Sequence, residues 1–352
     1  MLYLEDPSRL ADLLPGEPAY RADQLRAWLY RTPVVTAEEM LNLPESLRRN
    51  LSTRLWPFSM ELAQQTDDGR TRKWLFRTPD RASIEAVLMS YPRRTTLCLS
   101  SQAGCAMACS FCATGQFGFE RQLHTGEIVA QVAYAKAQLN RSAIGGSPAR
   151  LTNLVFMGMG EPLANYANVR EAIRRMIEEM GFGSRRITVS TVGVVPGMRR
   201  LATEPWQLNL AVSLHAATDQ LRSRLVPLNR RYPLAEVIEA AAGFFAATGR
   251  RVSIEWALMA GVNDTDEQAR GLAEIARRLR AHVNLIALNP TPRSSERAPS
   301  RADVVRFIER LRRAGVNVTL RDTRGQEIAA ACGQLRAQAR NSETSPAASF
   351  VG

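Results

Sequence analysis

The sequence predicts an α/β protein: a largely parallel sheet preceded by a short helical segment. Beyond residue 94, short apolar and β-branched runs alternate with longer runs of helical periodicity. That alternation calls for crossover helices and therefore for parallel strands. Before residue 60, apolar residues recur at helical spacing instead. The chain has 352 residues, 45% of them hydrophobic, enough for one large domain and a smaller one.

Taken in order, YRADQLRAWLYR sets Leu25, Trp28 and Leu29 at helical spacing. Thr36 and Glu39 then make a capping-box pattern ahead of EEMLNLPESLRR, which Pro44 interrupts. RKWLFRT and ASIEAVLMSY flank the turn-like TPDR and predict a hairpin. The strand candidates that follow are TTLCLSS, LTNLVFMG, RRITVST, LNLAVSL, VSIEWALM, VNLIALN and NVTLRDT. Between them lie the helical stretches HTGEIVAQVAYAKAQL, YANVREAIRRMIEEMG, LAEVIEAAAGFFAATG, TDEQARGLAEIARRLRA and SRADVVRFIERLRRAG. The last is capped by Ser300 and Asp303 and stopped by Gly315. The expected divisions are a helical accessory domain over 1–65, a hairpin linker over 66–94, a β/α domain over 95–336 and a disordered polar tail over 337–352. Whether the sheet is doubly wound or curled into part of a barrel, its chemistry belongs at the C-terminal strand ends.

The net charge is +12. Such an excess suits a polyanion, most commonly nucleic acid. Nearly all of it is arginine, Lys73 and Lys136 being the only lysines, and such a skew also follows from genome base composition. The start of the chain lacks a basic and then apolar leader pattern, and no apolar run approaches the roughly 20 residues that span a bilayer. Five cysteines in such a chain predict a cytoplasmic protein with reduced thiols, not bound to membrane.

Three of those five stand in CAMACSFC, as Cys105, Cys109 and Cys112, directly after a strand candidate. Soft thiolates on one loop select zinc, copper(I) or an iron–sulfur cluster. Three can hold a [4Fe–4S] cluster with one iron open to substrate, whereas a zinc site would need His124 or a distant cysteine as fourth ligand.

The C-x3-C-x2-C spacing, with the aromatic Phe111 before its last cysteine, resembles the radical S-adenosylmethionine superfamily. More narrowly, the chain resembles the RlmN-type dual-specificity adenine-C2 methyltransferases of 23S rRNA and tRNA. The resemblance runs nearly end to end, through YRADQLRAWLY, SSQAGCAMACSFCATGQ, VFMGMGEPLAN, VSTVGVVP, SLHA, GVND, LNP and RGQEIAAACGQL. Departures are Glu327, where the family often shows Asp, and Arg121-Gln122, where it often shows Arg-Asn. The resemblance implies an open (β/α)6 partial TIM-like barrel carrying a small, RNA-binding N-terminal helical domain.

It also implies roles. Cys105, Cys109 and Cys112 would bind the cluster, whose open iron would chelate S-adenosylmethionine. Gly160 and Glu161 would meet the amino group. Ser190, the Ser213-Leu214-His215 run and Asn289 would contact the ribose, carboxylate or adenine. Two S-adenosylmethionine molecules would be used per turnover: one methylates Cys332, and the radical derived from the second takes hydrogen from that S-methyl group. The carbon radical adds to adenine C2, and Cys98 resolves the protein–RNA link by forming a disulfide with Cys332. Glu85, sharing a strand face with Val87 and Met89, would be the base, its pKa raised by an apolar setting. The enzyme would be a monomer fed by an electron donor such as flavodoxin. Read without the family, the same residues have plainer explanations. Cys98 and Cys332 are buried packing residues, Glu85 guards a strand edge, His215 is a core histidine and GMG is a strand-to-loop turn. Two other functions compete: the sister methyltransferase acting at adenine C8, which confers antibiotic resistance, and a non-catalytic zinc RNA-binding protein.

Overall fold

The computed structural model describes residues 1–67, 69–142, 144, 150–321 and 325–335. The tail expected over 337–352 lies outside these, as do the last two residues of NVTLRDT. In the first part of the chain, 3-10 turns at Leu2–Leu4 and Pro7–Leu13 lead into α1 (Tyr20–Arg26) and α2 (Glu45–Ser52). The Thr36/Glu39 capping box forms, and Pro44 serves as the N-cap of α2, so the expected interruption is where the second helix begins. Three antiparallel strands follow: β1 (Ser59–Thr66), β2 (Thr71–Arg77) and β3 (Ser83–Tyr91). The β2–β3 hairpin is the expected one. β1 was not expected: its side chains are exposed or half-buried along its whole length, so SMELAQQT carries no apolar alternation. The boundary expected at 65 falls inside this strand.

β4 (Arg94–Cys98) pairs antiparallel with β3 and begins the parallel sheet. Beyond it a small ribbon, β5 (Gln102–Gly104) with β6 (Phe119–Gln122), brackets α3 (Ala113–Phe117). The remaining strands are β7 (Asn153–Phe156), β8 (Ile187–Thr191), β9 (Asn209–Ser213), β10 (Ser253–Leu258), β11 (His282–Ala287) and β12 (Val318–Leu320). Their crossover helices are α4 (Thr125–Arg141), α5 (Tyr166–Glu178), α6 (Val195–Leu201), α7 (Asp219–Leu225), α8 (Leu234–Thr248), α9 (Asp266–Leu279) and α10 (Arg301–Arg313). The short helices α3, α6 and α7 have no counterpart in the sequence-based expectation. At five to seven residues each, they are too brief to show a full amphipathic period.

The order β4-β7-β8-β9-β10-β11-β12 is parallel throughout. Among the described residues β12 does not pair back with β4, whose other edge is taken by β3. The expected open (β/α)6 partial barrel is therefore the observed one. No described helix is long and apolar enough to cross a membrane.

Helix α4 is buried nearly all round because the N-terminal segment covers its outer side. A Cβ on Gly126 would lie 2.1 Å from the Tyr3 carbonyl oxygen, so only glycine allows this approach. Tyr134 of α4 meets Trp56, Phe58, Trp74 and Phe76 edge-on, with centroids 5.1–6.5 Å apart. Each such buried ring contributes roughly 1.5–3 kcal/mol by area. The N-terminal helices and the barrel thus share one apolar core.

Candidate active site

Each parallel strand ends at one rim, and there the loops after β4, β7, β8, β9 and β11, the end of β10 and the segment after β12 surround a cavity of about 950 Å³ including its open mouth. Cys105, Cys109 and Cys112 all line it. The loop that carries them is held locally: the Cys105 N–H donates to the Gly118 carbonyl at 2.8 Å, and the Cys112 N–H to that of Cys109 at 3.2 Å. Gly115 sits where a Cβ would come within 2.9 Å of the Cys109 nitrogen. Burial pushes the Cys105 thiol up to about 12 and raises Cys109 and Cys112 as well, while amide donors of Gly115 and Thr114 favour the Cys112 thiolate. Such thiols ionise when a cation binds them.

Opposite lies the turn after β7. Gly160 has φ +96, and a Cβ there would strike the Gln102 side chain at 2.4 Å. The glycine therefore permits the loop to pack on Gln102, which accepts from the Glu161 N–H at 2.7 Å. Gln102 is itself held by Gln122 at 2.9 Å, which gives the unusual Gln122 a supporting place. Glu161 accepts N–H bonds from Leu163 at 3.0 Å and Val192 at 2.9 Å. Even so, burial pushes its carboxyl up to about 7. An acid so placed gains from a cationic ligand.

Around the rest of the rim, Ser190 and Ser213 hydroxyls stand 3.4 Å apart. His215 is turned by a left-handed backbone, φ 60, and accepts from the Ala257 N–H at Nδ1, 3.0 Å away. Its proton therefore resides on Nε2. Burial, with Arg222 adding, lowers its pKa to about 3, and Phe111 meets its ring edge-on at 4.6 Å. Leu214 does not line the cavity; it is a core residue 1% exposed, and its carbonyl accepts from Arg222 Nε at 3.1 Å. Its N–H is also taken, by the Glu255 carbonyl at 3.0 Å, so the expected ligand contact of Leu214 has no counterpart in the cavity wall. Asn289 lines the cavity, but its amide is engaged by the chain itself, donating to the Cys332 carbonyl at 3.1 Å and accepting from Gln326 at 2.7 Å.

The two lone cysteines meet here. Cys332 lines the main cavity and also an adjoining one, whose wall includes Cys98, Met89 and Tyr91. Burial, and then the neighbouring Cys332, push the Cys98 thiol up to about 12. Cys332 is exposed, not a buried packing residue. Glu85 is placed differently from its expectation. It shares a face of β3 with Val87, which pairs with Lys73 on one side and Cys98 on the other. The setting is not apolar: Lys73 Nζ lies 3.3 Å from the carboxylate, with both side chains 1% exposed. Glu85 lines neither cavity.

Sequence reasoning missed Arg321, which lines both cavities. Its Nη1 pairs with Glu255 at 3.1 Å, and Asn284 donates to the same carboxylate at 2.8 Å. Burial alone would lower the guanidinium; Cys332, Glu255 and Tyr91 raise it. A basic residue just past the last strand was the available signal. His124 stands away from both cavities as the exposed N-cap of α4.

Residues 99–273 match the family model of the radical SAM superfamily, and residues 11–56 match that of the ribosomal RNA large subunit methyltransferase N-terminal domain. Fold, cysteine loop and matches together define a radical SAM enzyme. The chain is 52% identical over 342 residues to the probable dual-specificity RNA methyltransferase RlmN of Frankia alni, an alignment covering 95% of this chain and 81% of that protein. The Salinispora tropica counterpart is 50% identical over 328 residues, covering 92% and 88%. The crystal structure of a radical SAM methyltransferase from Sphaerobacter thermophilus superposes with a TM-score of 0.89 at 50% identity, covering 96% of this chain and 99% of that one. The chain belongs to the RlmN family of dual-specificity RNA methyltransferases. Its cofactors are accordingly a [4Fe–4S] cluster and S-adenosylmethionine. Three soft donors on one loop, beside a buried acid, fit them. The family, and His124 lying apart, set aside the zinc-protein alternative.

Proposed function

We propose that this protein methylates adenine C2 in 23S rRNA and in tRNA, with Cys332 as methyl carrier and Cys98 as resolving thiol. One observation supports it above the others: Cys332 is common to the cavity of the three-cysteine loop and to the cavity of Cys98. Held by Cys105, Cys109 and Cys112, the cluster with its S-adenosylmethionine supplies a methyl donor and a carbon-centred radical oxidant. Glu161 binds the ammonium group of the cofactor, while Ser190, Ser213, His215 and Asn289 orient the rest, with Leu214 packed behind them.

The Cys332 sulfur accepts the methyl group and, after loss of a hydrogen atom from it, presents the carbon radical to C2; the unpaired electron of the adduct would return to the one-electron carrier that supplied it as the C2 proton is lost. The family likeness assigns the C2 proton to Glu85, which is paired with Lys73 and lines neither cavity, so the proton reaches it through an intervening group. Cys98 then attacks the Cys332 sulfur. A disulfide bond forms, the sulfur–carbon bond breaks, its electron pair stays on carbon, and that carbon is protonated to a methyl group. Reduction of the disulfide restores both thiols. A cytoplasmic monomer served by a flavodoxin-class donor completes the reading.

The test is Cys98→Ala. It should accept a methyl on Cys332, attack the RNA and stop there, leaving a protein–RNA adduct on denaturing gels with its mass on the Cys332 peptide. Normal RNA methylation without any adduct would return Cys98 to a packing role. Locating the methyl carbon by mass spectrometry separates C2 from the sister C8 activity.

A further inference from the structure

At the opposite end of the barrel, the N-terminal ends of β7 and β8, a second kind of cavity opens between the N-terminal segment and the sheet. Arg31, Lys136, Arg150 and Arg186 line it, and no carboxylate does among the described residues. The nearby acids are engaged elsewhere: Glu179 accepts from Arg26 at 2.7 Å, and Glu39 from Arg141 at 2.6 Å. Among the described residues the guanidiniums of Arg31, Arg150 and Arg186 form no hydrogen bond or ion pair. Lys136 donates only to the backbone carbonyls of Tyr30 and Arg31, at 2.9 and 3.1 Å.

Helix C-termini offer one ordinary reason for cations here, since α4 and α5 both end at this cavity. Each end carries about half a negative charge, so together they balance about one of the four cations. The surplus is repulsive. Burial, and then Arg150, lower the Lys136 ammonium to about 8. Four cations gathered in a concavity without an acid are the arrangement that recognises a phosphate oxygen cluster.

We propose that this cavity is a phosphate site that grips the backbone of the RNA substrate at a point remote from the reacting base. The proposal rests on the RNA-modifying function above. β7 has four residues, about 13 Å at 3.3 Å per residue, and with its loops it separates this cavity from the thiols. The site therefore positions a large RNA without touching the chemistry.

The experiment compares the full-length, cluster-loaded protein with its Arg150→Gln/Arg186→Gln double variant, both surface positions, and with Arg31→Gln/Arg186→Gln should the first misfold. The slope of log affinity for tRNA against log salt should fall by about 1, the loss of one phosphate contact. KM for tRNA should rise several-fold while kcat and S-adenosylmethionine cleavage stay unchanged. Unchanged salt slope and KM overturn the proposal. So does broadening of the inorganic phosphate ³¹P line by the native protein but not by the variant, with RNA affinity unaltered, because the site would then serve a free anion. Methylation by the unaltered protein reads the underlying function separately, so loss of that activity is distinguishable from failure of this site.

Discussion

Two segments bring thiols to the catalytic rim, and they do so in opposite ways. Residues 99–112 follow β4 directly, and their three cluster cysteines are fixed mainly by short-range bonds to Gly118, Cys109 and the amides of α3. The Ser110 N–H adds a long-range tie to the Leu225 carbonyl at 3.1 Å. Residues 325–335 instead return after β12 and, beyond short turns of their own, are anchored by distant partners: Asn289 beyond β11, Thr66 on β1, and Ala113, whose N–H donates to the Gly333 carbonyl at 2.7 Å. The comparison teaches that the cluster loop is a local device, whereas Cys332 rides on a clamp that the rest of the fold must supply. A thiol that has to serve two cavities in turn suits the second kind of mounting.

The largest expected effect is on the local device. Cys109→Ala should abolish both the brown chromophore and S-adenosylmethionine cleavage, because beyond Cys105 and Cys112 the cavity is lined by no other described thiol except Cys332. Retained cleavage would refute the assignment. Next comes Cys332→Ala, expected to keep the chromophore and give no S-methylcysteine and no methylated RNA, as read by peptide and nucleoside mass measurement.

The clamp should be sensitive in its own way. Asn289→Ala removes the bonds to both the Cys332 carbonyl and Gln326. RNA methylation should fall by tenfold or more, since about 1 Å of misplacement costs up to 10²-fold. Cluster absorbance should be unchanged, and equal loss of both would make Asn289 a general support of the rim.

Glu161 gives a pH test. Its folded carboxyl titrates near 7 against an ordinary 4.5, so the folded state holds a proton that the unfolded state has lost between those values. Stability from this group therefore falls as pH rises through that window, by about 3 kcal/mol in all. Thermal melting of native protein relative to Glu161→Gln should show that decline. S-adenosylmethionine, which brings the ammonium, should bind more weakly as pH drops below about 7, and a flat profile would remove Glu161 from the amino-group contact. The smallest effect belongs to Thr66→Val. It deletes one exposed 2.6 Å bond to Glu327, so a loss of about 0.5–1.5 kcal/mol or less is expected in denaturant titration.

Much was legible beforehand because it is short-ranged. The β/α alternation, the β2–β3 hairpin, the Thr36/Glu39 capping box and the three cysteines each depend on residues a few positions apart. Strand β1 was not legible, because a strand with neither face buried leaves no periodic trace. The roles of Cys98 and Cys332 came from family likeness and not from any pattern in the residues.

By itself the sequence determined which elements form and which loop carries the soft ligands, since spacing and propensity act locally. Tertiary structure decided what meets across the barrel's gap. It set Cys332 in the wall shared with Cys98, brought Lys73 against Glu85 through the register of β2 with β3, and placed Arg321 between the two cavities. Those meetings depend on sheet curvature and strand order, which are fixed by the packing of the whole core and leave no mark in any short stretch of chain.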